Sequence, residues 1–152
     1  MRHLIPSVLL ILFGSVFCSD TFSGETQRFS FKGIGYGGGG RFTACAIDPQ
    51  NEKTVLVGSD VAGIYKSTDG GNLFELKGRG LEGFAVAGIL FDPDNTRTVY
   101  ILTNDGLYCS TDYAESWKKV SSAVRYDDRF FGSSPMLFFD KRLWAASARN
   151  GI

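Results

Sequence analysis

A stretch of the chain occurs twice and decides the fold. Residues 63–69 (GIYKSTD) return 43 positions later as residues 106–112 (GLYCSTD). Residues 54–57 (TVLV) likewise return 44 positions later as residues 98–101 (TVYI). Asp48-Pro49 also matches Asp92-Pro93 at a shift of 44, and Phe74 matches Trp117 at a shift of 43. A third copy starts at residues 136–140 (MLFFD). A fixed period of this length is typical of repeat architectures, in which neighbouring repeats bury each other's apolar faces.

Each copy is expected to contain four short strands. In the first copy they are placed at residues 42–47, 54–59, 63–67 and 74–77, with Asp48-Pro49 as a turn, because Pro cannot continue a ladder. The 19 Gly and 13 Phe of the chain also favour short strands and tight turns. Four strands per repeat predict an all-β fold, a β-propeller of four-stranded antiparallel blades. About three blades are expected, the last one truncated.

The chain is expected to divide into three parts: a signal peptide at 1–19, a lead-in segment at 20–41, and a partial propeller at 42–152. Blades are placed near 42–80, 84–122 and 135–152. A short basic start precedes the apolar run 4–17, which is too short to span a membrane and fits a secretory signal. We therefore expect export to a secreted or periplasmic location, without stable membrane insertion after cleavage. An uncleaved anchor and a lipoprotein signal at Cys18 are the alternatives.

Several function classes are disfavoured by composition. The 16 basic and 16 acidic side chains leave no basic surplus for nucleic acid. The one histidine, His3, lies in the predicted leader, which excludes a histidine-based metal site or catalytic triad in this span. The glycine run 37–40 lacks the Gly-Lys-Ser/Thr ending of a phosphate loop. No cofactor and no metal are expected, with Ca²⁺ at Asp127-Asp128 as an alternative. Cys45 and Cys109 are interpreted as small buried residues, although export permits a disulfide.

The turn between the third and fourth strands carries the most specific motif. Residues 67–74 (STDGGNLF) fit Ser-x-Asp-x-Gly-x-x-aromatic. The carboxylate is expected to accept bonds from the turn's amides, and the glycine to take a positive φ. Residues 110–117 (STDYAESW) repeat the pattern with Ala114 in place of the glycine, which puts that left-handed turn in doubt. The predicted structural positions are Ser67, Asp69, Gly71, Phe74, Ser110, Asp112 and Trp117.

These motifs resemble the Asp-box, or BNR repeat, of sialidases, sortilin-type receptors, photosystem assembly factors and xyloglucan-degrading glycoside hydrolases. In these families the box is a structural turn. The resemblance therefore implies that Asp69 and Asp112 are not catalytic. Since such propellers carry about four to eight blades, we expect the chain to be the N-terminal part of a longer protein or a truncated reading frame. Assembly in trans is a further alternative.

A second resemblance concerns Asp60. The glycine run and residues 59–65 (SDVAGIY) look like the first blade of xyloglucanase-type hydrolases, which have Thr-Asp-Val-Gly-Gly followed by an aromatic residue. Ser59 and Ala62 depart from that pattern. The resemblance implies that Asp60 is one of two catalytic carboxylates and that the second lies in a C-terminal half this chain lacks. The alternative is that Asp60 caps its own turn. Asp105, the other carboxylate on the same predicted rim, is interpreted as part of a tight turn.

The sequence therefore supports two functional hypotheses. The first is a carbohydrate-active glycoside hydrolase acting on a polysaccharide and inactive as this truncated chain, so whether the chain is an enzyme is left open. The second is a non-catalytic propeller for protein interaction or assembly. In both, the ligand, polysaccharide or protein, is expected on the rim that bears Asp60.

Overall fold

Antiparallel strands make up the regular structure of the protein. The structure, a computed structural model, describes residues 40–125 and 136–146, and it contains no helix in these ranges. Sheet 1 consists of β1 (Phe42–Asp48), β2 (Asn51–Ser59), β3 (Ile64–Ser67) and β4 (Glu75–Leu76). Sheet 2 consists of β5 (Val86–Phe91), β6 (Val99–Thr103), β7 (Gly106–Ser110) and β8 (Lys118–Ser121). A hairpin follows, made of β9 (Met136–Phe139) and β10 (Arg142–Ala145).

Both four-stranded sheets follow chain order, with each strand paired to the next one. The register confirms the predicted repeat, since β1 and β2 pair Cys45 with Val57 while β5 and β6 pair Ile89 with Ile101. The predicted all-β class and the four antiparallel strands per repeat are thereby confirmed for the first two repeats. The observed β2 begins three residues before the predicted start at Thr54 and ends, as predicted, at Ser59.

The main core lies between sheet 1 and sheet 2. Leu56 and Ile64 of sheet 1 are fully buried against the face of sheet 2 that carries Val99 and Ile101. Full burial of such side chains stabilises the fold by about 1.5–3 kcal/mol each. The remaining buried members are Leu81, Val86, Ile89, Phe91, Tyr108, Ala114 and Trp117.

The hairpin covers the other face of sheet 2. Met136, which is 5% exposed, packs with Leu102 and Leu107, and the rings of Tyr100 and Phe138 meet edge to face at 5.7 Å between centroids. Sheet 2 therefore buries apolar residues on both faces, as alternate residues of its strands point in opposite directions.

Sheet 1 differs from sheet 2 because none of the described residues covers its second face. Ile47 is 60% exposed there, whereas Phe91, its equivalent one repeat later, is 5% exposed. Cys45 lies on this open face and is exposed, so the expectation that it is buried is wrong. Cys109 is half-buried, and both cysteines are free thiols.

The predicted signal peptide at 1–19 and most of the lead-in at 20–41 lie outside the described residues, as does the end of the third predicted repeat. Within residues 40–125 and 136–146 there is no helix long and apolar enough to cross a membrane.

Candidate functional site

Two strand-connecting turns meet at one edge of the paired sheets. The β2–β3 turn carries Asp60, and the amide of Gly63 in this turn donates to the carbonyl of Phe84 at 2.9 Å. The β6–β7 turn carries Asp105, and the amide of Asn104 donates to the carbonyl of Ala85 at 3.0 Å. The segment between the two sheets thus bonds both turns, so that the two carboxylates predicted on one rim share this edge. We call it the linker edge, formed by residues 59–63, 83–85 and 103–106.

A buried hydroxyl caps each of these turns. The hydroxyl oxygen of Ser59 accepts from the amides of Val61 and Ala62, each at 3.3 Å. Thr103, at the equivalent place in sheet 2, accepts from the amides of Asp105 and Gly106, each at 3.2 Å. Among the described residues, the carboxylate of Asp60 makes no bond to an amide of its own turn. The capping role considered for Asp60 in the sequence therefore belongs to the hydroxyl before it.

The carboxylate of Asp60 instead reaches the chain entering β1. Its Oδ1 accepts from the amide of Arg41 at 2.7 Å, and its own amide donates to the carbonyl of Arg41 at 3.0 Å. The side chain is partly exposed, and no hydrogen bond from the described part of the chain reaches Oδ2. One oxygen of the carboxylate is therefore held by the backbone of Arg41.

Asp105 is engaged differently. Its Oδ2 accepts from the hydroxyl of Tyr108 at 2.7 Å and from the ammonium of Lys119 at 2.6 Å, which also contacts Glu82 at 2.6 Å. The bond from Lys119 lowers the pKa of Asp105, with the Tyr108 hydroxyl acting in the same direction. Burial raises the pKa of Tyr108. Asp105 is thus an ionised carboxylate held by two donors, which is unsuited to the role of a general acid.

The Ser-x-Asp turns connect β3 to β4 and β7 to β8. In the first, Oδ1 of Asp69 accepts from the amides of Asn72 and Leu73, both at 3.0 Å, and from the hydroxyl of Ser67 at 2.7 Å. The bond from the amide of Leu73 is the main cause of the lowered pKa of Asp69. Gly71 has a φ of 90° and lies beside the ring of Phe74.

The second turn keeps this geometry without glycine. Tyr113 and Ala114 both take a φ of 65°, and the amide of Ala114 donates to the hydroxyl of Ser110 at 2.9 Å. Burial alone raises the pKa of Asp112, but hydrogen bonds from Ser116 and Ser110 outweigh it and lower that pKa. The doubt that Ala114 raised about a left-handed turn was wrong, because these side-chain bonds hold the backbone there.

The two turns also contribute aromatic packing, and their carboxylates bond within the turns. Trp117 is 5% exposed and its indole donates to the carbonyl of Lys77 at 2.7 Å. Oδ1 of Asp69 and both carboxylate oxygens of Asp112 accept hydrogen bonds from their own turns, as expected for aspartates that hold a turn together. Within the described part of the chain, no group of three or more metal-ligating side chains could hold a metal ion.

The sequence reasoning named Asp60 together with the glycine run that ends at Gly40, but it missed the bond from the amide of Arg41. When the two repeats are aligned, Phe84 stands at the position of Gly40, Ala85 at that of Arg41 and Asn104 at that of Asp60. The alignment could have pointed to these residues, because all three positions carry a different type of side chain in the second repeat.

Comparison with known proteins found similarity to solved structures of glycoside hydrolases. An ancestral GH74 enzyme matches with a TM-score of 0.53 and 28% identity, over 58% of this chain and 11% of that enzyme. A GH74 xyloglucanase from Xanthomonas campestris matches with a TM-score of 0.44 and 24% identity, over 53% of this chain and 15% of that enzyme. No family model and no curated protein matched. The matched part thus has a GH74-like, glycoside hydrolase-like fold and spans a small fraction of the enzymes it resembles.

Proposed function

We propose that the chain is the first part of an exported propeller glycoside hydrolase that acts on a polysaccharide, with Asp60 as one of its two catalytic carboxylates. The observation that carries this proposal is the state of Asp60 at the linker edge. Its turn is capped by the hydroxyl of Ser59 and not by its own carboxylate, its Oδ1 is held by the amide of Arg41, and the residue is partly exposed. The similarity to the ancestral GH74 enzyme supports the class of reaction.

The chemistry requires a second carboxyl group. Glycoside hydrolysis places one carboxyl on each side of the bond, as acid and as base or nucleophile. Asp105 shares the edge with Asp60 but is held as an anion by Lys119 and Tyr108. The partner carboxyl is therefore expected beyond the described residues, in further repeats of a longer product. For the same reason the 152-residue chain is expected to release no sugar by itself.

The ligand is proposed to lie across the linker edge. Xyloglucan is the probe of choice, because the sequence pattern around Asp60 resembles that of xyloglucan-degrading enzymes. The predicted leader at 1–19 would deliver the protein to the compartment where such a polymer is found.

The test is hydrolysis by the product of the complete reading frame. Release of reducing sugar from xyloglucan is measured for the wild type, for Asp60→Asn and for the matched control Asp94→Asn, an exposed carboxylate outside the linker edge. Asp60→Asn should lower kcat by roughly 10²–10⁴-fold, and the control should leave it within about twofold. Equal activity of the wild type and Asp60→Asn would overturn the proposal. Polysaccharide or protein binding without any hydrolysis would favour the non-catalytic alternative.

A further inference from the structure

We infer that the peptide between Gly40 and Arg41 is a positioning element for Asp60, which fixes Oδ1 and turns Oδ2 toward the substrate. This inference rests on the proposed role of Asp60 and deepens it, because it names what orients the carboxylate. The backbone amide of Arg41 lies 2.7 Å from Oδ1, a short distance typical of bonds to an ionised acceptor. A backbone donor is a stiff partner, so the bond restricts the rotamer of the carboxylate.

The two repeats provide an internal comparison. In sheet 1 the amide of Asp60 donates to the carbonyl of Arg41 at 3.0 Å, and in sheet 2 the amide of Asn104 donates to the carbonyl of Ala85 at the same distance. This backbone bond is shared, and it holds the turn to the preceding segment in both repeats. The bond from the backbone amide of Arg41 to the side chain of Asp60 has no counterpart at Ala85 and Asn104 among the described residues. It is therefore an addition to the fold and not a requirement of it.

Gly40 makes the addition possible. Its φ is 137°, a conformation that side chains with a Cβ rarely adopt. A Cβ built there would lie 2.6 Å from Cγ2 of Val61 and 2.9 Å from Oδ1 of Asp60. Any other residue would displace the carboxylate or the peptide that binds it. The second repeat has Phe84 in place of Gly40 and Asn104 in place of Asp60. The glycine and the carboxylate therefore occur together in the first repeat and are both replaced in the second.

The experiment measures solvent exchange of individual amides by NMR on the ¹⁵N-labelled full chain. Asp60→Ala removes the acceptor, and Gly40→Ala displaces the donor. Both should speed exchange of the Arg41 amide by roughly tenfold or more, as expected for loss of a bond to a charged group. Asp60→Asn keeps a side-chain oxygen and should restore part of the protection. The matched control is Gly70→Ala, since Gly70 has a φ of 75° and open space around a Cβ. It should leave the Arg41 amide unchanged.

Two internal probes separate loss of the bond from loss of the fold. The amide of Asn104 should stay protected in every variant, because its bond to Ala85 is independent of Asp60. If Gly40→Ala unfolds the linker edge, exchange of the Asn104 amide will also become faster. The result for Asp60→Ala then decides whether Asp60 protects the amide of Arg41. Equal exchange of the Arg41 amide in the wild type and Asp60→Ala would overturn the inference, as would unchanged exchange in a folded Gly40→Ala variant.

A kinetic measurement keeps this inference distinct from the proposed function. In the complete hydrolase, Gly40→Ala should lower kcat by about 10²-fold, the cost of a small misplacement of a reacting group, with a much smaller change in KM. A change in KM with kcat unchanged would contradict a positioning role. Absence of any hydrolysis in the wild type would defeat the proposed function and leave the exchange result standing by itself.

Discussion

The ion pair between Lys66 and Glu115 joins sheet 1 to sheet 2 and yields a sharp stability test. Lys66 lies on β3 with its side chain 4% exposed, and its ammonium donates to Glu115 at 2.8 Å and to the carbonyl of Tyr113 at 2.6 Å. It also lies 4.4 Å from the centroid of the Tyr113 ring. Glu115 is 49% exposed and is shared with Lys77 at 2.9 Å. The buried member of the pair is the cation, so loss of its counter-charge should be costly.

Glu115→Gln removes that charge and keeps the shape of the side chain. Loss of a partner costs about 3–5 kcal/mol in a fully buried pair and below about 1 kcal/mol in an exposed one. The half-exposure of Glu115 places the expected loss between these limits, at about 1–3 kcal/mol. The matched control is Glu75→Gln, which removes an exposed carboxylate from Lys77 at the same 2.9 Å but touches no buried charge. It should cost less than about 1 kcal/mol.

Urea unfolding followed by tryptophan fluorescence measures both free energies. The bonds from Lys66 and then Lys77 lower the pKa of Glu115, so its folded pKa lies below the unfolded value of about 4.3. A carboxyl with a lowered pKa stabilises the fold above that unfolded value, and this contribution is lost as the pH falls through the folded pKa. The difference between the wild type and Glu115→Gln should therefore be full at pH 7 and shrink below about pH 4. Equal losses for the two variants at pH 7, or a difference that persists at low pH, would show that the charge of Glu115 does not stabilise the buried Lys66.

Two further substitutions, Gly80→Ala and Tyr108→Phe, test the packing around sheet 2, and Gly70→Ala serves as a control for the first. Gly80→Ala should destabilise the protein by about 3 kcal/mol, because its φ is 87° and a Cβ would lie 2.2 Å from the carbonyl oxygen of Trp117. Gly70→Ala, with a φ of 75° and no atom near a Cβ, should lose only about 1 kcal/mol in the same urea experiment. Tyr108→Phe removes a fully buried hydroxyl that bonds to Asp105, and should cost about 1.5–3 kcal/mol in thermal unfolding. A loss within 0.5 kcal/mol, roughly that of a neutral surface change, would contradict the bond.

The sequence was sufficient for the strands because their information is local and repeated. Val55, Leu56 and Val57 alternate between faces, and a second copy of the pattern confirms the period. Exposure was harder to predict, since it depends on what covers a face. Cys45 occupies the position that Ile89 fills in sheet 2, yet it lies on a face that the described residues leave open. The burial of a strand residue is thus a property of its neighbours as well as of its own pattern.

The candidate site was only partly accessible to sequence reasoning for a similar reason. Asp60 stood out through its turn and its resemblance, but its bond to Arg41 spans 19 positions and follows from how β1 approaches β2. The pair of Lys66 and Glu115 spans 49 positions. The left-handed Ala114 was misjudged because its support comes from side-chain bonds within the turn, whose combined strength a residue preference does not report.

Asp60 is proposed to be half of a catalytic pair whose other carboxylate lies in further repeats. The most direct measurement is to read the coding DNA past the codon for Ile152. If Asp60 is catalytic, the reading frame should continue through more repeats of about 44 residues, and a later repeat should carry an Asp or Glu at the turn between its second and third strands. A stop codon with no repeats beyond it would exclude a catalytic role for Asp60 within its own chain, because Asp60 would then have no partner carboxylate there.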